Sequence, residues 1–130
     1  MRRVRVCFVC LGNICRSPTA EGILLHLLEQ AELASHVDVD SAGTAAYHTG
    51  EPADARSAAA ARRRGVRLVS RARPFVAADF ERFDWVIAMD GENHSELQAL
   101  APSCEAASRI HLLRDFDDAA PRGADVPDPY

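Results

Sequence analysis

The feature that most constrains the fold is a loop, Cys10–Ser17, which lies between an apolar run and a stripe of apolar residues at helical spacing. The run before it, Val4–Val9, is short, β-branched and aromatic, which predicts a buried strand. Ser17 is a suitable N-cap and Pro18 a suitable first residue for the helix that follows. The apolar face of that helix is formed by Ala20, Ile23, Leu24, Leu27, Leu28 and Ala31.

Strand-like and helical segments then alternate along the chain. Further strands are predicted at Val37–Ser41, Trp85–Met89 and Ile110–Leu113. Helices are predicted from Ala53 to Arg64, closed by Gly65 as a C-cap, and from Glu92 to Ala101, stopped by Pro102. This alternation predicts an α/β fold with a parallel sheet flanked by helices. No repeat or interdomain linker interrupts it, so we expect one domain over residues 1–130.

The loop itself has the composition of an oxyanion site. Successive backbone N–H groups and the helix N-terminus favour negative charge at this point. Gly12 and Asn13 tolerate the left-handed backbone that a tightly curled loop requires. Positive charge nearby favours a thiolate at Cys10, and the planar fork of Arg16 fits two phosphoryl oxygens. We therefore expect the loop to hold a phosphate dianion that sulfur attacks, with Ser17 donating to the sulfur.

The residues Val9–Pro18 closely resemble the signature Val-Cys-x-Gly-Asn-x-Cys-Arg-Ser-Pro of the low-molecular-weight protein tyrosine phosphatases, and the match suggests the bacterial type. The similarity continues at Ser41–Thr44, Tyr47–Gly50, Pro52–Arg56, Phe83–Asp90 and Asp128–Tyr130, so it covers nearly the whole chain. The resemblance implies a phosphatase I-like three-layer sandwich with a four-stranded parallel sheet in the order 2-1-3-4. It also implies hydrolysis of phosphotyrosine through a cysteinyl-phosphate, with no metal or cofactor.

By the same resemblance, Cys10 is the nucleophile, Arg16 the phosphate clamp and Asp128 the general acid and base. The tyrosine leaving group has a conjugate acid near ~10, so a proton donor accelerates its departure. Asn13 and Ser41 would hold the loop in shape, and an apolar branched residue at position 14 goes with phosphotyrosine rather than phosphoarginine. The residues expected to line the phosphate and aryl sites are Leu11, Gly12, Asn13, Ile14, Cys15, Ser17, Tyr47 and Tyr130.

One part of the family pattern lies beyond the printed residues. The family usually continues after the Asp-Pro-Tyr motif with another aromatic residue and a long amphipathic helix that packs on the sheet. This C-terminal helix is absent from the 130 residues. Either a natural short form or an incomplete sequence explains its absence, which bears on the order of the Asp128 loop and on the cover over one face of the sheet.

Two other functions fit the same scaffold. An arsenate reductase would use Cys10 against arsenate, but such relatives carry further cysteines near the positions of Arg82 and Met89, and this chain does not. A non-catalytic phosphate- or phosphopeptide-binding module would bind without turnover. Hydrolysis of p-nitrophenyl phosphate separates these alternatives from a phosphatase.

The remaining cysteines suggest at most one redox role. Cys7 and Cys10 are three positions apart in a strand and so face opposite sides. Cys15 shares the loop with Cys10, and either a reversible disulfide with it or simple packing behind the loop would explain the residue. Cys104 has no partner in the sequence, and the five histidines show no metal-ligand spacing.

Composition limits the partners. The net charge of −4 argues against nucleic-acid binding, although all 15 basic residues are arginine and Arg62–Arg64 form a cluster, interpreted here as a solvated face. No apolar run is long enough for a membrane span, and no secretory segment precedes Val4. We therefore expect a cytoplasmic enzyme, without excluding secretion independent of a signal peptide. Its partner would be a phosphotyrosine protein, for example a tyrosine kinase, with phosphate and other oxyanions as inhibitors.

Overall fold

The fold is built on a four-stranded parallel sheet. A computed structural model describes residues 3–127. The strands are β1 (Val4–Cys10), β2 (Val37–Gly43), β3 (Trp85–Ala88) and β4 (Ile110–Leu112), and they lie in the order β2-β1-β3-β4. The predicted parallel sheet and its order 2-1-3-4 are confirmed.

Helices pack on both faces of the sheet, as a three-layer sandwich requires. Alternate residues of β1 point to opposite faces, so Cys7 and Val9 belong to one apolar cluster while Val6, Phe8 and Cys10 belong to another. The first cluster packs against the helices α3 (Asp79–Arg82), α4 (Gly91–Leu100) and α5 (Cys104–Ala107). The second packs against α1 (Arg16–Gln30), the helix that follows the loop.

The start of α1 differs from the prediction by two residues. Cys15 is the N-cap and makes no side-chain capping bond, so Ser17 and Pro18 are the second and third helical residues. Proline costs little there, because the first four N–H groups of a helix have no intrahelical acceptor. The predicted cap, Ser17, is fully buried and instead uses its hydroxyl inside the loop.

The buried face of α1 is also rotated from the predicted apolar stripe. Leu24 and Leu28 face the sheet, whereas Ile23 and Leu27 remain 44% and 52% exposed. Gly22 lies against the returning segment 66–68, and a Cβ there would approach Leu68 Cδ2 to 2.6 Å. A second contact therefore buries the Gly22 side of the helix, which the spacing of apolar residues did not reveal.

Two later helices begin at aspartate caps. In α2 (Ala55–Arg63), the Asp54 carboxylate accepts from the N–H groups of Arg56 and Ser57. Gly65 follows its C-terminus with φ of 79°, the left-handed conformation typical of glycine at this point, so its predicted role is confirmed. In α4, the Asp90 carboxylate accepts from the N–H of Asn93.

One apolar groove of about 400 Å³ remains open beside α1 and the sheet. Its lining combines strand and helix residues with the 3₁₀ turn Leu113–Phe116 that follows β4. The lining residues are Val4, Val6, Phe8, Leu24, Leu28, Val37, Trp85, Ile87, Leu113 and Phe116. Within residues 3–127, no helix has the length and apolarity that crossing a bilayer would take.

Candidate active site

The loop between β1 and α1 is held close to the end of β2. The N–H groups of Thr44 and Ala45 donate to the carbonyls of Cys10 and Leu11 at 2.9 and 3.0 Å. Gly43 permits this approach, because a Cβ there would come within 2.8 Å of the Leu11 carbonyl oxygen. The loop therefore lies at the carboxyl ends of two parallel strands, the usual ligand position in such sheets.

Asn13 fixes the curl of the loop. Its φ is 58°, the left-handed conformation predicted for this position, and its side chain is only 2% exposed. The side-chain Nδ2 donates to Ser17 Oγ at 2.8 Å, while Oδ1 accepts from the backbone N–H of Arg73 at 3.0 Å. One amide thus joins the loop, the first turn of α1 and a segment sixty residues away.

The sulfur of Cys10 lies among hydrogen-bonding groups. The backbone N–H of Asn13 donates to Cys10 Sγ at 3.2 Å, and Ser17 Oγ lies 3.0 Å from the same sulfur. Cys7 lies on the opposite face, where burial raises the pKa of its thiol well above the ordinary value. The two cysteines are therefore not a redox pair, in agreement with the sequence interpretation.

Arg16 opens α1 beside the loop, and its side chain is almost completely buried. Its Nη1 donates to Asp90 Oδ2 at 2.7 Å and to the carbonyl of Val126 at 3.0 Å. Side-chain exposure is 6% for Arg16 and 17% for Asp90, so the pair is well shielded from solvent. The guanidinium is thereby tied both to the start of α4 and to the C-terminal segment.

The loop forms one wall of a pocket of about 210 Å³. The lining also includes Tyr47, which is 74% exposed, and His48, whose Nδ1 is 2.9 Å from Glu51 Oε2. The two rings meet edge to face with centroids 6.3 Å apart. The complete lining is Cys10, Leu11, Gly12, Ile14, Cys15, Arg16, Tyr47 and His48. Small anions and a flat ring both fit such a mixed enclosure.

The Ser41 side chain hydrogen-bonds a carboxyl group on the helix that follows the loop. Its hydroxyl donates to Glu21 Oε1 at 2.6 Å, and both residues are buried. Burial raises the pKa of Glu21 above its ordinary value, and hydrogen bonds from Ser41 and Ser70 oppose that rise. The sequence reasoning assigned Ser41 to loop support; in the structure its bond runs to α1, directly after the loop.

Two of the predicted site residues, Asp128 and Tyr130, lie outside the described residues. The segment that leads to them is well anchored, because the N–H of Val126 donates to the Met89 carbonyl at 2.7 Å. The carboxylate of Asp125 accepts from the N–H of Gly91 at 2.9 Å. Asp125 is thus engaged at the start of α4, and the chain passes Arg16 at Val126.

Sequence reasoning did not assign a role to four residues that shape this site. They are Glu21, His48, Arg73 and Asp90. Asp90 had a usable signal, since an aspartate just before a helical stretch is a favoured N-cap. Arg73 had none, because its contribution to the loop is a backbone N–H.

Comparison with known proteins agrees with this geometry. Residues 5–130 match the family described as low molecular weight phosphotyrosine protein phosphatase. The low molecular weight protein-tyrosine-phosphatase of Streptomyces coelicolor is 46% identical over 127 residues, which are 97% of this chain and 77% of that protein.

Solved structures show the same similarity. YfkJ from Bacillus subtilis superposes with a TM-score of 0.94 at 38% identity, covering 100% of this chain and 81% of that one. A protein tyrosine phosphatase from Entamoeba histolytica, with Hepes in its active site, gives 0.92 at 39% identity and covers 98% and 80%. Sequence signature, strand order and superposition agree, and the chain belongs to the low-molecular-weight phosphotyrosine protein phosphatase family.

Proposed function

We propose that this chain is a protein tyrosine phosphatase that hydrolyses phosphotyrosine through a cysteinyl-phosphate intermediate. The observation that carries the proposal is the surroundings of the Cys10 sulfur. Cys10 lines the pocket, and its sulfur lies 3.2 Å from the backbone N of Asn13 and 3.0 Å from the Ser17 hydroxyl oxygen. Arg16 lines the same pocket. These groups suit a sulfur nucleophile facing a phosphoryl dianion.

In the first step, the Cys10 thiolate attacks phosphorus and the bond from phosphorus to the tyrosine oxygen breaks. The departing phenolate takes a proton from the Asp128 carboxylic acid, which avoids release of a strongly basic anion. The Arg16 fork binds two phosphoryl oxygens and stabilises charge in the transition state. The carboxylate of Asp90 holds that fork at the edge of the pocket.

In the second step, a water molecule attacks phosphorus and gives its proton to the Asp128 carboxylate. The sulfur–phosphorus bond breaks, inorganic phosphate forms and the thiolate returns. The hydroxyl of Ser17, 3.0 Å from the sulfur, is positioned to donate to the leaving thiolate. Two points support Asp128 over Asp125 as the acid: the family motif, and the engagement of Asp125 with the N–H of Gly91.

The pocket wall supports the proposed substrate class. Ile14 lies in the lining, and Tyr47 and His48 offer aromatic edges against which a phosphorylated tyrosine ring can pack. We therefore place phosphotyrosine in a protein as the substrate, with an autophosphorylated tyrosine kinase as one candidate. Inorganic phosphate and other oxyanions would inhibit by occupying the loop. A cytoplasmic location and a single domain over residues 1–130 stay predictions from the sequence.

Arsenate reduction is the weaker alternative. It needs thiols that can reach Cys10 in succession, but Arg82 and Met89 occupy the positions where such relatives carry cysteine. Cys7 is buried on the other face of the sheet and Cys104 is exposed after α4, which leaves Cys15. A single neighbouring thiol suits protection of the nucleophile by a reversible disulfide better than it suits a reductase relay.

The test is hydrolysis of p-nitrophenyl phosphate by the wild type, by Cys10→Ser and by the matched control Cys104→Ser. We expect turnover in the wild type and the control, and none in Cys10→Ser. Similar rates in all three proteins would disprove the assignment of the nucleophile. Binding of vanadate without any turnover in the wild type would show a binding module instead.

A further inference from the structure

A strongly basic segment leaves the phosphate loop and returns to it. We call this segment, residues 55–73, the excursion. The N–H of Asp54, just before α2, donates to the Ile14 carbonyl at 2.7 Å. The chain then runs through α2 and returns until the N–H of Arg73 donates to Asn13 Oδ1 at 3.0 Å. The two ends are therefore fixed on residues that shape the pocket.

Charge is distributed very unevenly between this excursion and the rest of the chain. Residues 55–73 contain seven of the 15 arginines and none of the 19 acidic residues. The net charge of the whole chain is nevertheless −4. The surface outside the excursion is thus strongly acidic, and the excursion is a positive region beside the active site.

Within residues 3–127, four of the seven arginines make no ion pair. Arg73 pairs with Asp40 and Asp79 at 3.0 and 3.1 Å, and Arg71 donates to the carbonyl of Gly50. Arg56 lies 3.6 Å from the Asp54 carboxylate. The other four are exposed and contact no acidic side chain within residues 3–127; we call them the basic ridge: Arg62, Arg63, Arg64 and Arg67.

Stabilisation of α2 accounts for only part of the ridge. Arg62 and Arg63 lie in the last helical turn, where positive charge complements the helix dipole. That effect falls off within the last turn, so it does not account for Arg67, four residues beyond the end of the helix. Like charges placed this close also repel one another. An anionic partner would relieve that repulsion.

We infer that the basic ridge binds an acidic segment of the phosphotyrosine substrate itself. The inference rests on the proposed function, since phosphotyrosine in the pocket places the rest of the substrate beside the loop. The nine residues of α2 span roughly 12–14 Å at 1.5 Å per residue. An extended peptide covers this distance in about four residues. Acidic residues about four to seven positions from the phosphotyrosine therefore reach the ridge.

The acidic remainder of the surface favours a peptide over a nucleic acid. The rest of the chain carries eight arginines and all 19 acidic residues, so its net charge is negative. A long polyanion would therefore be repelled on either side of the ridge. A short acidic stretch meets only the ridge. Charges at the rim of a binding site act mainly on association, so the effect belongs in kcat/KM and depends on salt.

The experiment compares phosphotyrosine peptides that differ only in charge. Two peptides carry four glutamates at positions four to seven from the phosphotyrosine, one on its N-terminal side and the other on its C-terminal side. The matched peptides carry glutamine at the same places. The proteins are the wild type, a quadruple variant with Arg62→Gln, Arg63→Gln, Arg64→Gln and Arg67→Gln, and a variant with lysine at the same four positions.

We expect the wild type to prefer one glutamate peptide over its glutamine match by about tenfold in kcat/KM at low salt. The preference should disappear in the glutamine variant, persist in the lysine variant and fall at 0.5 M salt, a concentration chosen at roughly three times physiological ionic strength. Hydrolysis of p-nitrophenyl phosphate, which cannot reach the ridge, should be equal in all three proteins.

Three results would overturn the inference. The first is an equal kcat/KM for all four peptides in the wild type, and the second is a preference for the glutamate peptide that survives in the glutamine variant. The third is tight binding of a single-stranded oligonucleotide by the wild type and the lysine variant that the glutamine variant loses. Failure of the proposed function is distinguishable from all three, because the wild type would then not hydrolyse p-nitrophenyl phosphate at all.

Discussion

Replacement of Asp90 separates two roles of one carboxylate. One oxygen accepts from Arg16 Nη1 at 2.7 Å, and the other caps α4 by accepting from the N–H of Asn93 at 2.8 Å. Asparagine is as good an N-cap as aspartate, so Asp90→Asn keeps the cap and removes only the charge opposite Arg16. Asp90→Ala removes both.

The magnitudes follow from these contacts. A hydrogen bond to a charged group contributes about 1.5–3 kcal/mol, and losing an N-cap costs about 1 kcal/mol more. For a chain of 130 residues, the entropy of unfolding is roughly 0.27 kcal/mol per kelvin. Asp90→Asn should therefore lower Tm by about 6–11 °C, and Asp90→Ala by about 4 °C more.

Thermal unfolding by circular dichroism measures both shifts, and hydrolysis of p-nitrophenyl phosphate measures the effect on the site. We expect kcat/KM to fall by about tenfold in both variants, because about 1.4 kcal/mol of lost orientation of Arg16 corresponds to that factor. A Tm for Asp90→Asn within 2 °C of the wild type, a difference smaller than about 0.6 kcal/mol, would refute the reasoning. So would equal Tm values for the two variants.

Three further changes test the loop, its support and the acid. Asn13→Ala removes both hydrogen bonds of the side-chain amide and places alanine at a φ of 58°, so its Tm should fall further than that of Asn13→Gly. A lower Tm for Asn13→Gly than for Asn13→Ala would contradict backbone strain at this position. Because burial raises the pKa of Glu21, the folded state binds its proton more tightly than the unfolded state, and stability is lost as pH rises from the unfolded value through the folded one. The Tm of Glu21→Gln minus that of the wild type should therefore increase between pH 4 and pH 7, a range set about the ordinary glutamate pKa. A difference in Tm that does not change with pH argues against the buried carboxylate. Asp128→Ala should lower kcat for p-nitrophenyl phosphate by about 10²–10⁴, with inhibition by phosphate unchanged, and an unaltered kcat would show that another group donates the proton.

The oxidation hypothesis for Cys15 also has a direct test. Mild peroxide treatment followed by mass spectrometry should give a Cys10–Cys15 crosslink that thiols reverse. The matched Cys15→Ser variant should instead accumulate sulfinic acid at Cys10. A sulfinic acid in the wild type with no crosslink would leave Cys15 as a packing residue beside the loop.

Local patterns were enough for the strands and the loop, whereas the order of the strands in the sheet came from the family resemblance. The β-branched run of β1, the glycine after α2 and the positive φ at Asn13 all depend on the conformational preferences of the residues themselves. The predicted start of α1 was wrong by two residues. Ser17 has a side chain that suits an N-cap, but in the site its hydroxyl interacts with the Cys10 sulfur instead. Cap preference describes an isolated helix end, and a nearby sulfur 3.0 Å away competes for the same hydroxyl.

The sequence by itself determined the alternation of the four strands with the three longer helices and the chemical groups of the loop, since these follow from side-chain periodicity and from a signature ten residues long. Only the tertiary structure decided which distant groups hold the loop: the N–H of Arg73 on Asn13 and the carboxylate of Asp90 on Arg16. Each bond joins residues at least sixty positions apart. Backbone donors carry no sequence signal, and a single carboxylate does not reveal its partner until the sheet brings the two together.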